Sequence, residues 1–182
     1  PAGAGAAGDR LGGNLTGAEK RRICCFCERW GSGGIESFLN NVLCRLDTSS
    51  LELDIVTVSL ETSIFTEELR QRGVRFYELT EKQQNVYKSS RKFLKIVRDR
   101  RYDVVHLNVF HGFSLRYAWL AKRAGVPVVI AHSHNTALRK SPVRPLKLFI
   151  HSLSKTVFSG CATDLWACSA PAAEFLFSSR VL

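Results

Sequence analysis

The chain has 182 residues, 45% of them hydrophobic and 23% charged, and carries a formal net charge of +10 at pH 7. That length suits one domain with a substantial core and is short for two, and the composition is that of a soluble globular protein. No apolar run approaches the roughly 20 residues that cross a bilayer, so no transmembrane helix is expected. The positive balance suits nucleic acid, an anionic membrane surface or phosphorylated substrates, and does not choose among them.

Residues 1–20 are rich in Gly and Ala, lack apolar periodicity, and have neither the basic start nor the continuous apolar stretch of a secretory signal. They read as a flexible tail or a cloning remnant. The Asn14-Leu15-Thr16 sequon within them reads as a chance match, since no export signal accompanies it. The folded domain is expected over 21–182.

From residue 22 onward, short apolar runs alternate with helical stretches. A first strand spans 23–27, followed by a glycine-rich turn and a helix over 35–46 with Phe38, Leu39, Val42, Leu43 and Leu46 on its inner side. Residues 53–58 alternate as a second strand. A short helix over 64–72 stops at Gly73, where a left-handed cap is cheap, and 74–78 is a third strand. The helix over 86–101 has Phe93, Leu94, Ile96 and Val97 as its apolar set and a strongly basic outer face. A fourth strand spans 104–107, a helix 114–124, and a fifth strand 128–131. An amphipathic helix over 143–159 and a sixth strand over 163–167 follow, and Ser169 caps a last helix through 177. Strands alternating with helices imply right-handed crossovers and a mainly parallel sheet with helices on both faces. The expected fold is therefore α/β, doubly wound and Rossmann-like, with ligands bound beyond the carboxyl ends of the strands where strand order reverses.

Two constellations carry chemistry. The first is the turn Trp30-Gly31-Ser32-Gly33-Gly34-Ile35-Glu36, where glycines let the backbone approach a ligand and the helix start offers free amides to a phosphate. Glu36 stands where the dinucleotide fingerprint wants its third glycine, which disfavours NAD, and no Gly-Lys-Ser or Gly-Lys-Thr is present, which excludes a P-loop. The same turn also reads as plain strand-to-helix geometry. The second is His132-Ser133-His134-Asn135 at the end of the fifth strand, where spacing two turns both imidazoles to one side. They read as acid/base or transition-state-stabilising groups, as metal ligands helped by His106 or His111, or as hydrogen-bonded strand-end residues. No carboxylate or cysteine lies close by in sequence, so no metal is expected. His106 and Asn108 end the fourth strand in the same zone.

The six cysteines read as free thiols, since Cys24, Cys25 and Cys27 crowd one strand and fit neither a disulfide framework nor paired zinc ligands. The basic helices read first as solvated faces, yet 139–150 mixes cations with large apolar groups in the manner of an interfacial helix on anionic lipid. No nucleic-acid partner is expected, because 88–101 offers only Phe93 as a stacking aromatic and the helical pattern buries it.

Four segments, Gly33-Gly34-Ile35-Glu36-Ser37-Phe38-Leu39, Tyr102-Asp103-Val104-Val105-His106, Val129-Ile130-Ala131-His132-Ser133-His134-Asn135-Thr136 and Ala162-Thr163-Asp164-Leu165-Trp166-Ala167-Cys168-Ser169, together resemble the amino-terminal domain of family-four glycosyltransferases of the bacterial exopolysaccharide and capsule type. The resemblance implies one half of a two-domain GT-B architecture that moves a sugar from a nucleotide-diphosphate donor to a sugar or lipid-linked acceptor, with retention and without metal or other cofactor. It implies that Gly33 and Gly34 lie against the donor phosphates or sugar and that His134, with His132 as second candidate, contacts the sugar near the reacting centre. Glu36, Asn108, His111 and Asn135 would be acceptor contacts. A carboxy-terminal donor domain or subunit would hold the nucleotide, so these residues alone are expected to be inactive. The expected location is cytoplasmic, peripheral on the inner face of the membrane. The reading from another class is a stand-alone module for phosphorylated ligands or anionic membranes.

Overall fold

In the computed structural model, β1 (Arg21–Trp30) leads through α1 (Gly34–Leu43) to β2 (Leu51–Leu60), and α2 (Thr66–Gln71) leads to β3 (Arg75–Glu78). The helix α3 (Val86–Arg100) crosses back to β4 (Val104–Val109). A 3-10 turn (Gly112–Leu115) and α4 (Arg116–Arg123) then lead to β5 (Val128–Ser133). Last come α5 (Arg144–Phe158), a second 3-10 turn (Ser159–Cys161), β6 (Asp164–Ala167) and α6 (Ala170–Leu176). The structure describes residues 20–80, 85–138 and 140–182; the Gly/Ala-rich start up to residue 19, with its sequon, and Arg139 lie outside the described residues.

The six strands pair in parallel in the order β3-β2-β1-β4-β5-β6. This is the doubly wound Rossmann-like arrangement, with its switch point between β1 and β4. Two punctuation marks fall as read: Gly73 has a φ of +85°, and the Ser169 side chain accepts from the Ala172 amide to cap α6. The first two strands are longer than their apolar runs, pairing from Arg21↔Leu51 to Trp30↔Leu60, because backbone hydrogen bonds carry a ladder past residues with charged side chains.

Alternation along β1 divides the core. Cys24 and Phe26 face a layer containing Phe93, Leu107 and Tyr117, whereas Cys25 and Cys27 face Ile35, Leu39 and Leu43 of α1. All six thiols are free. Burial, helped by the Asp54 charge, pushes Cys25 up to about 12, which leaves it an inert packing group. The inner side of α1 is narrower than its sequence suggests: Val42 and Leu46 are 40% and 39% exposed. The helix ends at Leu43, so Leu46 lies beyond it, and the apolar residues it buries are Ile35, Leu39 and Leu43, with Phe38 half-buried beside them.

The amino edge of the sheet is held by Asp54. Its buried carboxylate accepts from Arg75 Nε at 3.0 Å, Arg100 Nε at 2.9 Å and the Tyr102 hydroxyl at 2.7 Å. At the other edge, His151 of α5 clamps the turn after β4. Its Nδ1 accepts from the Gly112 amide at 2.8 Å and its Nε2–H donates to the Phe175 carbonyl at 2.9 Å. The clamp leaves no room beside Gly112, where a Cβ would lie 2.4 Å from the His151 carbonyl oxygen.

Burial lowers the His151 pKa from 6.5, and both ring nitrogens are engaged as a neutral imidazole. A histidine with a depressed folded-state pKa contributes stability that is complete above the unfolded value and is lost as pH falls through the folded one. His151→Gln should therefore cost about 1–3 kcal/mol at pH 7.5. It should also flatten the fall in stability below pH 6.5, as read by urea melts of both proteins across that range.

Candidate functional site

Beyond β1 the chain bends at a buried Trp30, whose indole N–H donates to Thr66 Oγ1 at 2.9 Å. Glu36, one turn into α1, folds back: it is 4% exposed and its Oε1 accepts from the Gly31 amide at 3.2 Å. Its other oxygen fills the space beside Gly33, where a Cβ would stand 2.7 Å away. A side chain at position 33 would have to push this carboxylate aside. Gly34 has open space where a Cβ would sit and is exposed on the outer side of the turn. The carboxylate supports the turn from inside, while Gly33 and Gly34 are exposed.

Parallel pairing places Cys27, Asn108, His132 and Trp166 in one row across β1, β4, β5 and β6. Paired residues share a face, so these side chains lie on the side of the sheet that carries α1. His106, two residues before Asn108, stacks on His132 with ring planes 11° apart, its Nε2 lying 3.1 Å from His132 Nδ1. His134, just past β5, brings its ring centroid within 4.1 Å of that of His132. Its Nε2–H donates to Asn108 Oδ1 at 2.9 Å, and the Asn108 amide nitrogen donates to the Phe26 carbonyl at 3.3 Å. That pairing fixes the His134 tautomer and leaves Nδ1 as a lone pair. Phe38 of α1 contacts both rings at 5.6 Å. The helix that begins at the glycine turn therefore reaches the two imidazoles.

Burial lowers the pKa of all three histidines. His106 falls to about 3, with the neighbouring His132 and His134 adding to the effect, and His134 falls to about 4, with His132 adding; His132 shifts the same way. At neutral pH the cluster is uncharged and works by hydrogen bonding and lone-pair donation.

The remaining sequence candidates lie nearby. His111 Nε2 is 3.3 Å from Glu28 Oε2, and the other Glu28 oxygen accepts from the Phe110 amide. Glu28 and His111 line a cleft of about 140 Å³ together with Asn85, Ser89 and Arg116. The Arg116 guanidinium lies 4.3 Å from the ring centres of both Phe113 and Tyr117. Asn135 donates to the Phe110 carbonyl at 3.4 Å. A larger cavity, about 350 Å³, opens at the opposite edge beside Lys20, Glu52 and Arg75. It contains none of the histidines and is walled by the ion pairs that hold that edge.

Sequence reasoning missed Cys168. The residue after β6 sits 3.3 Å from His134 Nδ1 and 3.7 Å from His132 Nε2. Only the β5–β6 register, with Ser133 opposite Ala167, brings it there, and spacing along the chain gives no hint of it. Phe38 and Trp166 were likewise not singled out as neighbours of the imidazoles.

Residues 33–181 match the family model described as "Glycosyl transferase 4-like domain". EpsF of Bacillus subtilis (strain 168), assigned by name to the glycosyltransferases, is 27% identical over 163 residues, which is 88% of this chain and 42% of EpsF. The chain thus spans less than half the length of that relative. Among solved structures, a mutant of the Thermobaculum terrenum O-GlcNAc transferase overlies 64% of this chain and 22% of its own, at 17% identity and a TM-score of 0.46.

The coupling of Gly33 to Glu36 is open to measurement. Gly33→Ala should displace the carboxylate and break its bond to Gly31, costing about 1.5–3 kcal/mol. In a Glu36→Ala background that added cost should largely vanish, giving a coupling energy of about 1–3 kcal/mol in a double-mutant cycle of chemical melts.

Proposed function

The chain belongs to the glycosyl transferase 4-like domain family, and from that premise we propose that it is the acceptor-binding half of a retaining glycosyltransferase fed by a nucleotide-diphosphate sugar. The observation that carries the reading is Phe38, which links the helix starting at the glycine turn to His132 and His134. An exposed glycine backbone and the free amides of a helix start suit the donor's phosphates. Neutral imidazoles beside them suit sugar hydroxyls, which both give and take hydrogen bonds. On this reading Gly33 and Gly34 lie against the donor, His134 contacts the transferred sugar, and His132 holds the second position. Retention of configuration and the identity of the sugar-contacting histidine are carried over from the resemblance.

The acceptor side falls to the cleft at His111, with Asn135 tied to the neighbouring Phe110 carbonyl as a further acceptor contact. Asn108 acts through His134, and Glu36 through the glycine turn it supports. Among the described residues, the side chains recorded against His132 and His134, which include Asn108, Phe38, Trp166 and Cys168, carry no formal cationic charge. A donor-holding domain or subunit is therefore part of the proposal, as the source of the groups that meet the leaving diphosphate. The 182 residues alone should bind ligands without transferring sugar.

Amide chemical-shift titration with a panel of nucleotide-diphosphate sugars and candidate acceptors tests this. The expected result is saturable shifts at Gly33, Gly34 and His134, weakened at least about tenfold (1.4 kcal/mol) by His134→Ala. No shift at these residues with any compound in the panel would sink the site, and sugar transfer by the isolated chain would sink the predicted inactivity.

The same reading places the protein on the inner face of the membrane. No helix among the described residues is long and apolar enough to cross a bilayer, but α5 turns an apolar stripe outward. Leu146, Phe149, Ile150, Leu153 and Val157 follow one another at helical spacing and are all exposed, Phe149 to 66%. His151 and Ser154, on the neighbouring side of the helix, are buried. Lys140 and Lys147, both exposed, give this face the charge that an anionic surface attracts. Vesicles containing acidic lipid should float the protein, and neutral vesicles or high salt should release it. Phe149→Ser with Leu153→Ser should reduce flotation several-fold, and equal flotation of that variant would remove α5 from the proposal.

A further inference from the structure

The three side chains gathered at the ends of β5 and β6 form a ligand set that shares its two imidazoles with the transferase reading and adds a thiol which that reading leaves idle. His132 and His134 each offer one ring nitrogen, and Cys168 its sulfur, with all three atoms within 4.8 Å of one another. Zinc binds histidine nitrogen at about 2.0–2.1 Å and cysteine sulfur at about 2.3 Å, so a tetrahedral ion separates a nitrogen and a sulfur ligand by about 3.5 Å. The two nitrogen–sulfur distances here are 3.3 and 3.7 Å, which bracket that value before any ion enters.

The surrounding hydrogen bonds also point the right lone pairs inward. His134 spends its Nε2–H on Asn108 Oδ1, leaving Nδ1 free toward the sulfur. His132 meets His106 through Nδ1. When that nitrogen donates to His106 Nε2, His132 Nε2 is left as a second lone pair on the same point. Outer partners that fix the tautomer and angle of a ligating histidine are the usual support of a built metal site. His132 and Asn108 are buried, whereas Cys168 is exposed, so an ion can enter from the sulfur side and complete its coordination with water.

We propose that His132, His134 and Cys168 form a binding site for a thiophilic divalent cation, zinc in the first instance, at the mouth of the sugar-contacting cluster. Binding converts the Cys168 thiol to a thiolate, with its proton released to solvent, and consumes the lone pairs of both imidazoles. A bound ion occupies the ring edge that His134 would present to a sugar, so metal and sugar exclude each other there. The metal site itself stands on the three ligands and is independent of the transferase reading.

The test uses the purified chain under reducing conditions with metal alone. Zinc binding is read by competition with a chromophoric chelator, and cobalt(II) replaces zinc to report sulfur ligation through a thiolate-to-metal charge-transfer band. One ion per chain is expected, with the band present. Cys168→Ser should lose the band and bind zinc at least about tenfold more weakly, while its thermal melt without metal matches the parent because the side chain is exposed. Cys44→Ser and Cys161→Ser should bind as the parent does. Failure to bind zinc, unchanged binding in Cys168→Ser, or dependence on Cys44 or Cys161 would each overturn the assignment, whatever sugar titrations show.

Discussion

Asn108 is the constraint on which the carboxyl edge depends. It is fully buried beside the switch point, donating to the Phe26 carbonyl of β1 and accepting from His134 beyond β5. One short side chain thereby ties three strands and sets the orientation and tautomer of a ring. An amide is suited to this because it carries a donor and an acceptor at once. An apolar residue of similar volume would leave the His134 N–H without its partner, and a carboxylate would set an oxygen against the Phe26 carbonyl. Buried polar atoms left in that condition cost about 1–3 kcal/mol each.

Part of the net charge of +10 lies on the outer faces of the helices. Exposed Lys88, Lys92, Lys95 and Arg98 lie on the outer side of α3, and Lys147 flanks the apolar stripe of α5. The imidazole cluster is kept neutral by burial and by the mutual repulsion its charged forms would feel. The basic outer faces act on their surroundings at longer range and are screened beyond about 8–10 Å. Arg116, in the adjoining cleft, is held by stacking on Phe113 and Tyr117, so it serves as a fixed wall of that cleft.

Much of the fold was legible because the sheet is parallel and its central strands β1, β4 and β5 carry buried apolar runs, while Gly73 and Ser169 mark helix boundaries by backbone rules that act locally. The inner face of α1 was misread at Val42 and Leu46, because periodicity shows which residues are apolar and not how wide a stripe the sheet accepts. Glu36 could be found in the turn but its direction could not, since the inward fold depends on the space left by Gly33. The two histidines were visible at spacing two. Cys168 was not, because its approach depends on which strand pairs with β5 and in what register. Such neighbours are long-range consequences of topology, and no local pattern encodes them.

The two edges of the sheet divide stability from chemistry. At the amino edge, Asp54 is buried against two guanidiniums and a phenol, and removing one partner of a buried ion pair costs about 3–5 kcal/mol. Against a typical domain stability of about 5–15 kcal/mol, that is a large share. At the carboxyl edge, the bonds of His106, His134 and Asn135 are neutral and each contributes about 0.5–1.5 kcal/mol. Losing one of them leaves the sheet standing. The carboxyl edge is accordingly where side chains can change ligand specificity without unfolding the domain. Asn108 is the exception, because there the same side chain serves both the fold and the site.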